Sequence, residues 1–274
     1  MIPVGEVMGT SFDDAIALRR LGDGRFEAST PPSWTASGRA PGGLLEAQMF
    51  AGIDATADGD ALRPLSFTAH LLRAPAAESY EVHVDVLRAG RTVWTLAVRI
   101  VQDAKLIATA LCSYAAERPG PDFDERPMPE VAPPSLAREV QGYRPEFAFP
   151  FADNIVIQER LGPAVFSASD GPMERAGWIG FATPRRIDAP ALLTLTDTGM
   201  MAWWVRLERM HLTATLDHTT HFRTDPGTVD ADGFVLIQSR TGLVRGGYLD
   251  WDIDVWAPDG TLLCQSRQMV VVLD

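Results

Sequence analysis

The sequence is poor in lysine and cysteine and contains no long apolar run. Lys105 is the only lysine among its 24 basic residues, which we attribute to the codon usage of a GC-rich genome. The two cysteines, Cys112 and Cys264, stand in apolar stretches and cannot form a network of disulfides. No run approaches the ~20 apolar residues that span a bilayer. Residues 1–6 lack the basic and apolar regions of a signal peptide. These absences predict a cytoplasmic protein without a membrane partner.

The chain also has few basic residues compared with acidic ones. Acidic residues outnumber basic ones 36 to 24, which gives a formal net charge of -12. Proteins that bind nucleic acids usually carry a basic patch, so this balance argues against a nucleic-acid partner. Apolar residues make up 46% of the chain and charged residues 22%, as is ordinary for a folded globular protein. A length of 274 residues fits one large domain or two smaller ones.

A proline-rich segment divides the sequence near its middle. Proline at this density is incompatible with a continuous helix or a central strand. We therefore predict an N-terminal unit over 1–118, a linker over 119–150 and a C-terminal unit over 151–274. The prolines that define the linker are Pro119, Pro121, Pro127, Pro129, Pro133, Pro134, Pro145 and Pro150.

Both units show the same order of predicted elements, a helix followed by strands. In the first unit, apolar residues every four positions after Gly42-Gly43 predict a helix. In the second unit, the apolar stretch Pro190–Leu207 is predicted to be helical. Alternation of apolar and polar residues predicts the strands that follow each helix. These strands are Leu65–Leu72, Tyr80–Val86, Val93–Val101 and Leu106–Ala115 in the first unit, and Leu212–Phe222, Phe234–Arg240, Tyr248–Trp256 and Leu262–Leu273 in the second.

The two units also match at a fixed offset. Residues 66–75 (SFTAHLLRAP) lie 151 positions before residues 217–226 (DHTTHFRTDP), and both share a Thr, a His two residues later and a Pro five residues after that. The same offset pairs Glu46 with Asp197 within the two predicted helices. A repeated helix-then-strands order predicts the α+β class, with two similar units side by side.

Several segments together resemble the acyl-CoA thioesterase II (TesB-like) family and its thioesterase-like relatives. They occur in the expected order over nearly the whole chain. Where that family often has Ser-Leu-His, this chain has Ser66-Phe67-Thr68, which points to a more distant thioesterase-like branch. The resemblance implies a double hotdog, in which each unit is a long helix wrapped by an antiparallel sheet. The matching segments are Pro41-Gly42-Gly43, Leu72-Arg73, 88–91, Gln102, 195–197, 215–222, 259–263 and 266–268.

The resemblance also implies an activity and a set of site residues. The family hydrolyses fatty acyl-CoA with a water molecule held by an Asp, a Thr or Ser, and a Gln, which correspond to Asp197, Thr215 and Gln268. We further expect backbone N–H groups at Gly42 and Gly43 to stabilise the oxyanion, since they would open a helix. Acyl-CoA is the expected partner, no cofactor is expected, and a homodimer of the chain is expected by analogy.

Other readings of the sequence have less support. An ordinary structural role is possible for each of the three candidate residues. Asp197 could cap a helix, and Thr215 and Gln268 could simply occupy strand positions. His218 and His221 are three apart on a predicted strand, so they would point to opposite faces and make a poor metal pair. Cys112 lies near the repeat position of Gln268 within an apolar segment, which argues against a second active site in the first unit.

The competing functions are a hotdog hydratase, whose Asp-x-Asn-x-x-His segment is not evident, and a non-catalytic acyl-CoA-binding protein on the same fold. A purely structural interaction protein is a weaker third possibility.

Overall fold

The computed structural model describes residues 11–57, 62–76, 78–135, 149–198, 200–228 and 233–273. Within them it contains three α-helices and thirteen strands of one sheet in which every pairing is antiparallel. The helices are α1 (Phe12–Ile16), α2 (Gly42–Asp54) and α3 (Ala189–Thr196). The strands are β1 (Arg19–Gly22), β2 (Arg25–Ala28), β3 (Arg63–Leu71), β4 (Tyr80–Ala89), β5 (Val93–Gln102), β6 (Lys105–Ala115), β7 (Ile155–Leu161), β8 (Glu174–Phe181), β9 (Thr213–Phe222), β10 (Val235–Arg240), β11 (Val244–Arg245), β12 (Tyr248–Trp256) and β13 (Leu262–Val272).

The two halves of the sheet meet where β3 pairs with β9. The strand order is β1-β2-β4-β5-β6-β3-β9-β13-β12-β10-β8-β7, with β11 attached to β12. Each half carries a central helix, and α2 is buried over most of its length, with its apolar residues packed into the core. The α+β class predicted from the sequence is therefore confirmed, with α2 packed against the antiparallel sheet and α3 packed against α2.

The sequence repeat corresponds to a pseudo-twofold axis between the halves. Thr68 and Thr219, which are 151 positions apart, are directly opposite each other in the β3–β9 pair, and their hydroxyl oxygens are 3.2 Å apart. The helices obey the same relation, because the Thr194 hydroxyl donates a hydrogen bond of 3.0 Å to the carbonyl of Gly43, also 151 positions away. Two independent pairs of repeat positions thus meet at the same axis.

Part of the proline-rich segment lies on the outside of the second half. The indole N–H groups of Trp178 and Trp256 donate to the carbonyls of Ala132 and Arg126 at 2.9 and 3.2 Å. Met128 and Val131 cover a small apolar cluster that contains both tryptophans. Residues 136–148 of the predicted linker lie outside the described residues, and the division at 118 and 151 stays a prediction.

One predicted helix is shorter in the structure than the sequence indicated. The stretch Pro190–Leu207 was expected to be helical throughout, but α3 ends at Thr196 and a short 3-10 helix covers Ala202–Arg206. Asp197 has φ −92° and ψ 4°, and its carboxylate accepts a hydrogen bond from the backbone N–H of Gly43 in the other half. The apolar residues that continue beyond Asp197 fill the core without forming an α-helix.

Five strands, namely β1, β2, β7, β8 and the two-residue β11, and the short helix α1 were not predicted from the sequence. The strands β1 and β2 are only four residues each, and β8 contains Gly177 and Gly180, which are unfavourable in strands. β7 comes immediately after the proline-rich segment. No helix in the described part of the chain is long and apolar enough to cross a membrane.

Candidate active site

The structure brings Asp197, Thr215 and Gln268 together at one place. The Thr215 hydroxyl lies 2.8 Å from Oε1 of Gln268 and 3.3 Å from Oδ1 of Asp197. Asp197 comes from the end of α3, Thr215 from β9 and Gln268 from β13. The Thr215 hydroxyl therefore lies between a carboxylate and an amide. The three side chains come from three separate elements, and they meet as the resemblance implied. The geometry places them together, and their catalytic roles stay predictions.

The end of α3 explains how Gln268 is oriented. Carbonyls in the last turn of a helix have no partner within the helix. The carbonyl of Thr196 accepts a hydrogen bond of 3.1 Å from Nε2 of Gln268. This contact assigns the amide nitrogen to the helix and leaves Oε1 facing Thr215. Gln268 is buried, so its side chain is held by these two contacts inside the protein.

A β-bulge places Thr215 on the inner face of the sheet. On β9, His218, Thr220 and Phe222 point into the core, so simple alternation would place Thr215 on the outer face. The register with β13 shifts between Met269 and Val270, so that Asp217 pairs with Met269 but Thr215 pairs with Val270. The extra residue restores Thr215 to the inner face, as bulges do.

Gly42 and Gly43 are required by the close approach of the two halves. A β-carbon on Gly43 would lie 2.8 Å from Cβ of Asp197 and 2.9 Å from Cα of Thr194. On Gly42 it would lie 2.6 Å from a methyl of Leu71 and 3.0 Å from Oδ2 of Asp197. Any larger residue at position 43 would push α2 away from the carboxylate, whereas at position 42 the Leu71 side chain would have to move.

The Gly43 N–H has a different partner from the expected one. It donates to Oδ2 of Asp197 at 2.6 Å, so in this structure it binds the carboxylate and not an oxyanion. The reason is that α2 begins at Gly42 and directs its first N–H groups, with the positive end of the helix dipole, at Asp197. The N–H of Gly42 remains the part of the oxyanion prediction that we carry forward.

The surroundings of Asp197 make its carboxyl group a weaker acid than usual. Burial and the nearby Glu46 carboxylate raise the pKa of Asp197 to about 7, against the lowering effects of His218, the Gly43 N–H and the Thr215 hydroxyl. A carboxylate with a pKa near 7 is a stronger base than an exposed one and is still largely ionised in slightly alkaline solution. The position can therefore accept a proton near neutral pH.

Sequence reasoning missed one buried pair beside these three residues. Nδ1 of His218 lies 2.7 Å from Oε2 of Glu46, and both side chains are fully buried. Burial opposes the charged form of His218, but the carboxylates of Glu46, Asp197 and Asp217 together outweigh it, so that the pKa of His218 is raised. The offset that aligned Glu46 with Asp197 was the available signal, since it placed an acidic residue in an apolar helix.

The structure also bears on the metal and cysteine readings. His218 is buried and His221 is exposed, so the two histidines face opposite sides of the sheet as predicted. Among the described residues there is no cluster of three or more metal-ligating side chains. Burial raises the pKa of Cys112 well above its ordinary value, which leaves its thiol protonated and poorly nucleophilic.

Two models of protein families match most of this chain. A model described as the acyl-CoA thioesterase N-terminal domain matches residues 30–115, and one described as the acyl-CoA thioesterase C-terminal domain matches residues 123–272. A search of curated proteins found no significant match.

Three solved structures illustrate the structural likeness. A conserved protein of unknown function with a hot dog fold from Alicyclobacillus acidocaldarius is 23% identical, with a TM-score of 0.85, covering 96% of this chain and 98% of that one. The tesB protein of Mycobacterium avium subspecies paratuberculosis is 20% identical, with a TM-score of 0.77 and coverage of 96% and 98%. An acyl-CoA thioesterase II from Mycobacterium marinum is 20% identical, with a TM-score of 0.76 and the same coverage. At these identities the likeness concerns the fold, and it confirms the double hotdog predicted from the sequence.

Proposed function

The chain belongs to the acyl-CoA thioesterase family, and from this premise we propose that it hydrolyses acyl-CoA thioesters with a water held by Asp197, Thr215 and Gln268. The observation that carries the proposal is the contact of the Thr215 hydroxyl with both Asp197 and Gln268. A carboxylate, a hydroxyl and an amide that converge in this way can fix both the position and the orientation of one water molecule.

The chemistry needs little more than a placed nucleophile, because a thioester carbonyl is already activated. Holding the water next to the carbonyl converts a bimolecular attack into an effectively unimolecular one. Asp197 accepts a proton as the water oxygen bonds to the carbonyl carbon. The N–H of Gly42, at the start of α2, is our candidate donor to the developing oxyanion.

Collapse of the tetrahedral intermediate completes the reaction. The carbon–sulfur bond breaks, the thiolate of CoA departs, and protonated Asp197 returns its proton to the sulfur. The products are a free acid and CoA, and Asp197 is again a carboxylate. Because its pKa is about 7, we expect the rate to rise with pH through this region as the base form accumulates.

The finer parts of the proposal concern substrate and context. We propose fatty acyl-CoA as the substrate class, a homodimer as the assembly and the cytoplasm as the location, each on the basis of the family resemblance or the sequence composition. No nucleic-acid partner and no cofactor enter the mechanism. The alternative function is a non-catalytic acyl-CoA-binding protein on the same fold.

The first experiment follows CoA release with a thiol reagent across short, medium, long and aromatic acyl-CoAs. Wild type and Asp197→Asn are compared, with circular dichroism to show that the variant is folded. We expect turnover by wild type and a loss of about 100-fold or more in the variant, roughly 2.7 kcal/mol of barrier. Binding of acyl-CoA without turnover by wild type would instead support the binding-protein alternative.

A further inference from the structure

The Glu46–His218 pair is a costly arrangement that the packing of the core does not require. A buried ion pair can often be replaced by apolar residues without loss of stability, since desolvating both charges costs several kcal/mol per ion by general estimates. This chain contains the apolar version, because the repeat position of His218 in the first half is Phe67, which is also fully buried. The same fold therefore packs well at this position without a charge.

The pair lies directly against the three site residues. His218 is opposite Gln268 in the β9–β13 pair, so the two side chains are adjacent on the inner face of the sheet. Glu46 is one helical turn after Gly43, whose N–H binds Asp197, and residues three apart share a helix face. The pair thus borders the site both from the sheet and from α2.

One oxygen of the Glu46–His218 pair has no hydrogen-bond partner among the described residues. Both ring nitrogens of His218 have partners, since Nδ1 contacts Glu46 and Nε2 lies 3.2 Å from the Thr220 hydroxyl. Oε2 of Glu46 is bound by His218, but Oε1 is buried and has no hydrogen-bond partner among the described residues. No donor in the described part of the chain offsets the electrostatic effect of this oxygen, and within a protein interior the charge of Glu46 acts strongly on its neighbour Asp197.

We propose that Glu46 and His218 are positioning residues of the hydrolytic site, which act through Asp197 by setting the charge around its carboxylate, with Glu46 contributed by the opposite half of the chain. This inference rests on the proposed function. His218 is the buried hydrogen-bond partner of Glu46, and the negative charge of Glu46 increases the proton affinity of Asp197, which is the property a general base requires.

Within the described parts of the chain, the charged groups around Asp197 and the pair can be named. Glu46 comes from α2, Asp197 from the end of α3, and His218 with Asp217 from β9. β13 contributes the neutral Gln268, and β3 places the neutral Ala69 opposite His218. Of the two members of the pair, Glu46 has the larger effect on Asp197 and raises its pKa, while His218 lowers it. Removing both should therefore lower the pKa of Asp197.

The test compares wild type with the double variant Glu46→Gln/His218→Phe, which replaces the pair by a neutral one and copies Phe67 at the histidine position. We expect the variant to fold but to be less stable than wild type, because the amide at position 46 would be buried without its histidine partner. The acid limb of its kcat/KM profile should move to lower pH by about half a unit or more, and its kcat should fall about tenfold with KM nearly unchanged. An unchanged acid limb with unchanged kcat would overturn the proposal.

The matched control is a variant that removes the carboxylate from another ion pair with a buried member, away from the candidate site. Glu159 on β7 pairs with the buried Arg175 on β8, toward the far edge of the sheet. Glu159→Gln should lower stability but leave the pH profile where wild type has it. A shift of the profile in this control equal to that in the double variant would mean that the effect is general destabilisation, and would contradict the proposal.

A second measurement does not depend on turnover or on the double variant. The coupling between His218 and Asp197 must be reciprocal. Proton NMR titration of the five histidines, with the His218 signal assigned by its absence in His218→Phe, should show His218 titrating above its ordinary value in wild type and lower in Asp197→Asn. No change in Asp197→Asn would overturn the proposal. If wild type turns over no acyl-CoA, the proposed function fails, whereas the titration still decides whether the pair and Asp197 are coupled.

Discussion

The two halves of the chain share one architecture, but they differ at every position that forms the candidate site. The repeat positions of Asp197, Thr215 and Gln268 are Glu46, Pro64 and Cys112. The last equivalence follows from the sheet register, since Gln268 is opposite His218, and Cys112 is opposite Phe67, the repeat position of His218. Pro64 has no hydroxyl and Cys112 no amide, so the first half cannot hold a water molecule in the same way.

The first half instead contributes to the site in the second half. It supplies the Gly43 N–H that binds the Asp197 carboxylate and the Glu46 carboxylate that raises the pKa of Asp197. A duplicated fold has two symmetric positions for a site beside its pseudo-twofold axis, and in this chain only one of them brings together an Asp, a Thr and a Gln. Under the proposed function, the difference teaches that the two halves form a single functional unit, in which the second carries the proposed reacting groups and the first sets their environment.

Separate substitutions of the equivalent residues Gln268 and Cys112 should give the largest difference in turnover between the two halves. Gln268→Met keeps the side-chain length but removes the amide that contacts Thr215 and the Thr196 carbonyl. We expect its turnover to fall by about 100-fold, roughly 2.7 kcal/mol of barrier, while Cys112→Ala stays close to wild type. CoA release by both variants, with their thermal unfolding as a check, measures this. Equal losses in the two variants would contradict the asymmetry of the halves.

A smaller effect on stability and turnover is expected from a substitution at Gly43, where α2 of the first half contacts α3 of the second. Gly43→Ala puts a methyl within 3 Å of Cβ of Asp197 and Cα of Thr194, so the backbone of one helix must shift. We expect destabilisation of about 1–3 kcal/mol by this overpacking, with a clear loss of turnover. The matched control on the same helix is Gly52→Ala, whose methyl meets only side-chain atoms, of Val82 at 3.0 Å, Val84 at 3.3 Å and Leu18 at 3.6 Å.

Denaturant unfolding together with CoA release compares the two glycine variants. Gly52→Ala should retain turnover, because Val82 lies outside the site and alanine favours a helix by about 1 kcal/mol over glycine. If Gly43→Ala were as stable and as active as Gly52→Ala, the close contact of the halves at Gly43 would have no bearing on the site.

The smallest expected effect is on the pH dependence of protein stability, which the buried Asp197 carboxyl group influences. The pKa of Asp197 is about 7 in the folded chain and near 3.8 in the unfolded one. Between these values the folded state binds more protons, so this residue makes the protein less stable as pH rises from about 4 to 7. Asp197→Asn should therefore unfold at a higher temperature than wild type at pH 8, with the difference shrinking toward pH 4. A variant that is less stable at pH 8 would contradict this.

The sequence predicted the fold better than it predicted the environment of the site. The strands after each helix were visible because their alternation of apolar and polar residues follows from having one buried face. The end of α3 was not visible, because the helix stops where Asp197 is held by Gly43, a residue 154 positions away. The apolar stretch around Met200 and Trp203 looked helical, although it reaches the core in a different conformation.

The three candidate residues came from resemblance, whereas the contacts that join them came from the structure. The inward position of Thr215 depends on a bulge between β9 and β13, which has no clear signature in a single sequence. The Glu46–His218 pair joins residues 172 apart, and local patterns contain no information about such a contact. The repeat offset did mark Glu46 as the counterpart of Asp197, which was the one sequence feature that pointed toward it.

The central claim is that Asp197 activates a water molecule and does not itself attack the thioester. The most direct test is a single turnover in H2¹⁸O with enzyme in excess over an acyl-CoA that it hydrolyses, followed by mass spectrometry of the product acid and of the peptide containing Asp197. Direct attack by water predicts one ¹⁸O atom in the acid and none in the peptide. An unlabelled acid with ¹⁸O in Asp197 would show that the carboxylate forms an acyl intermediate, and would contradict the account.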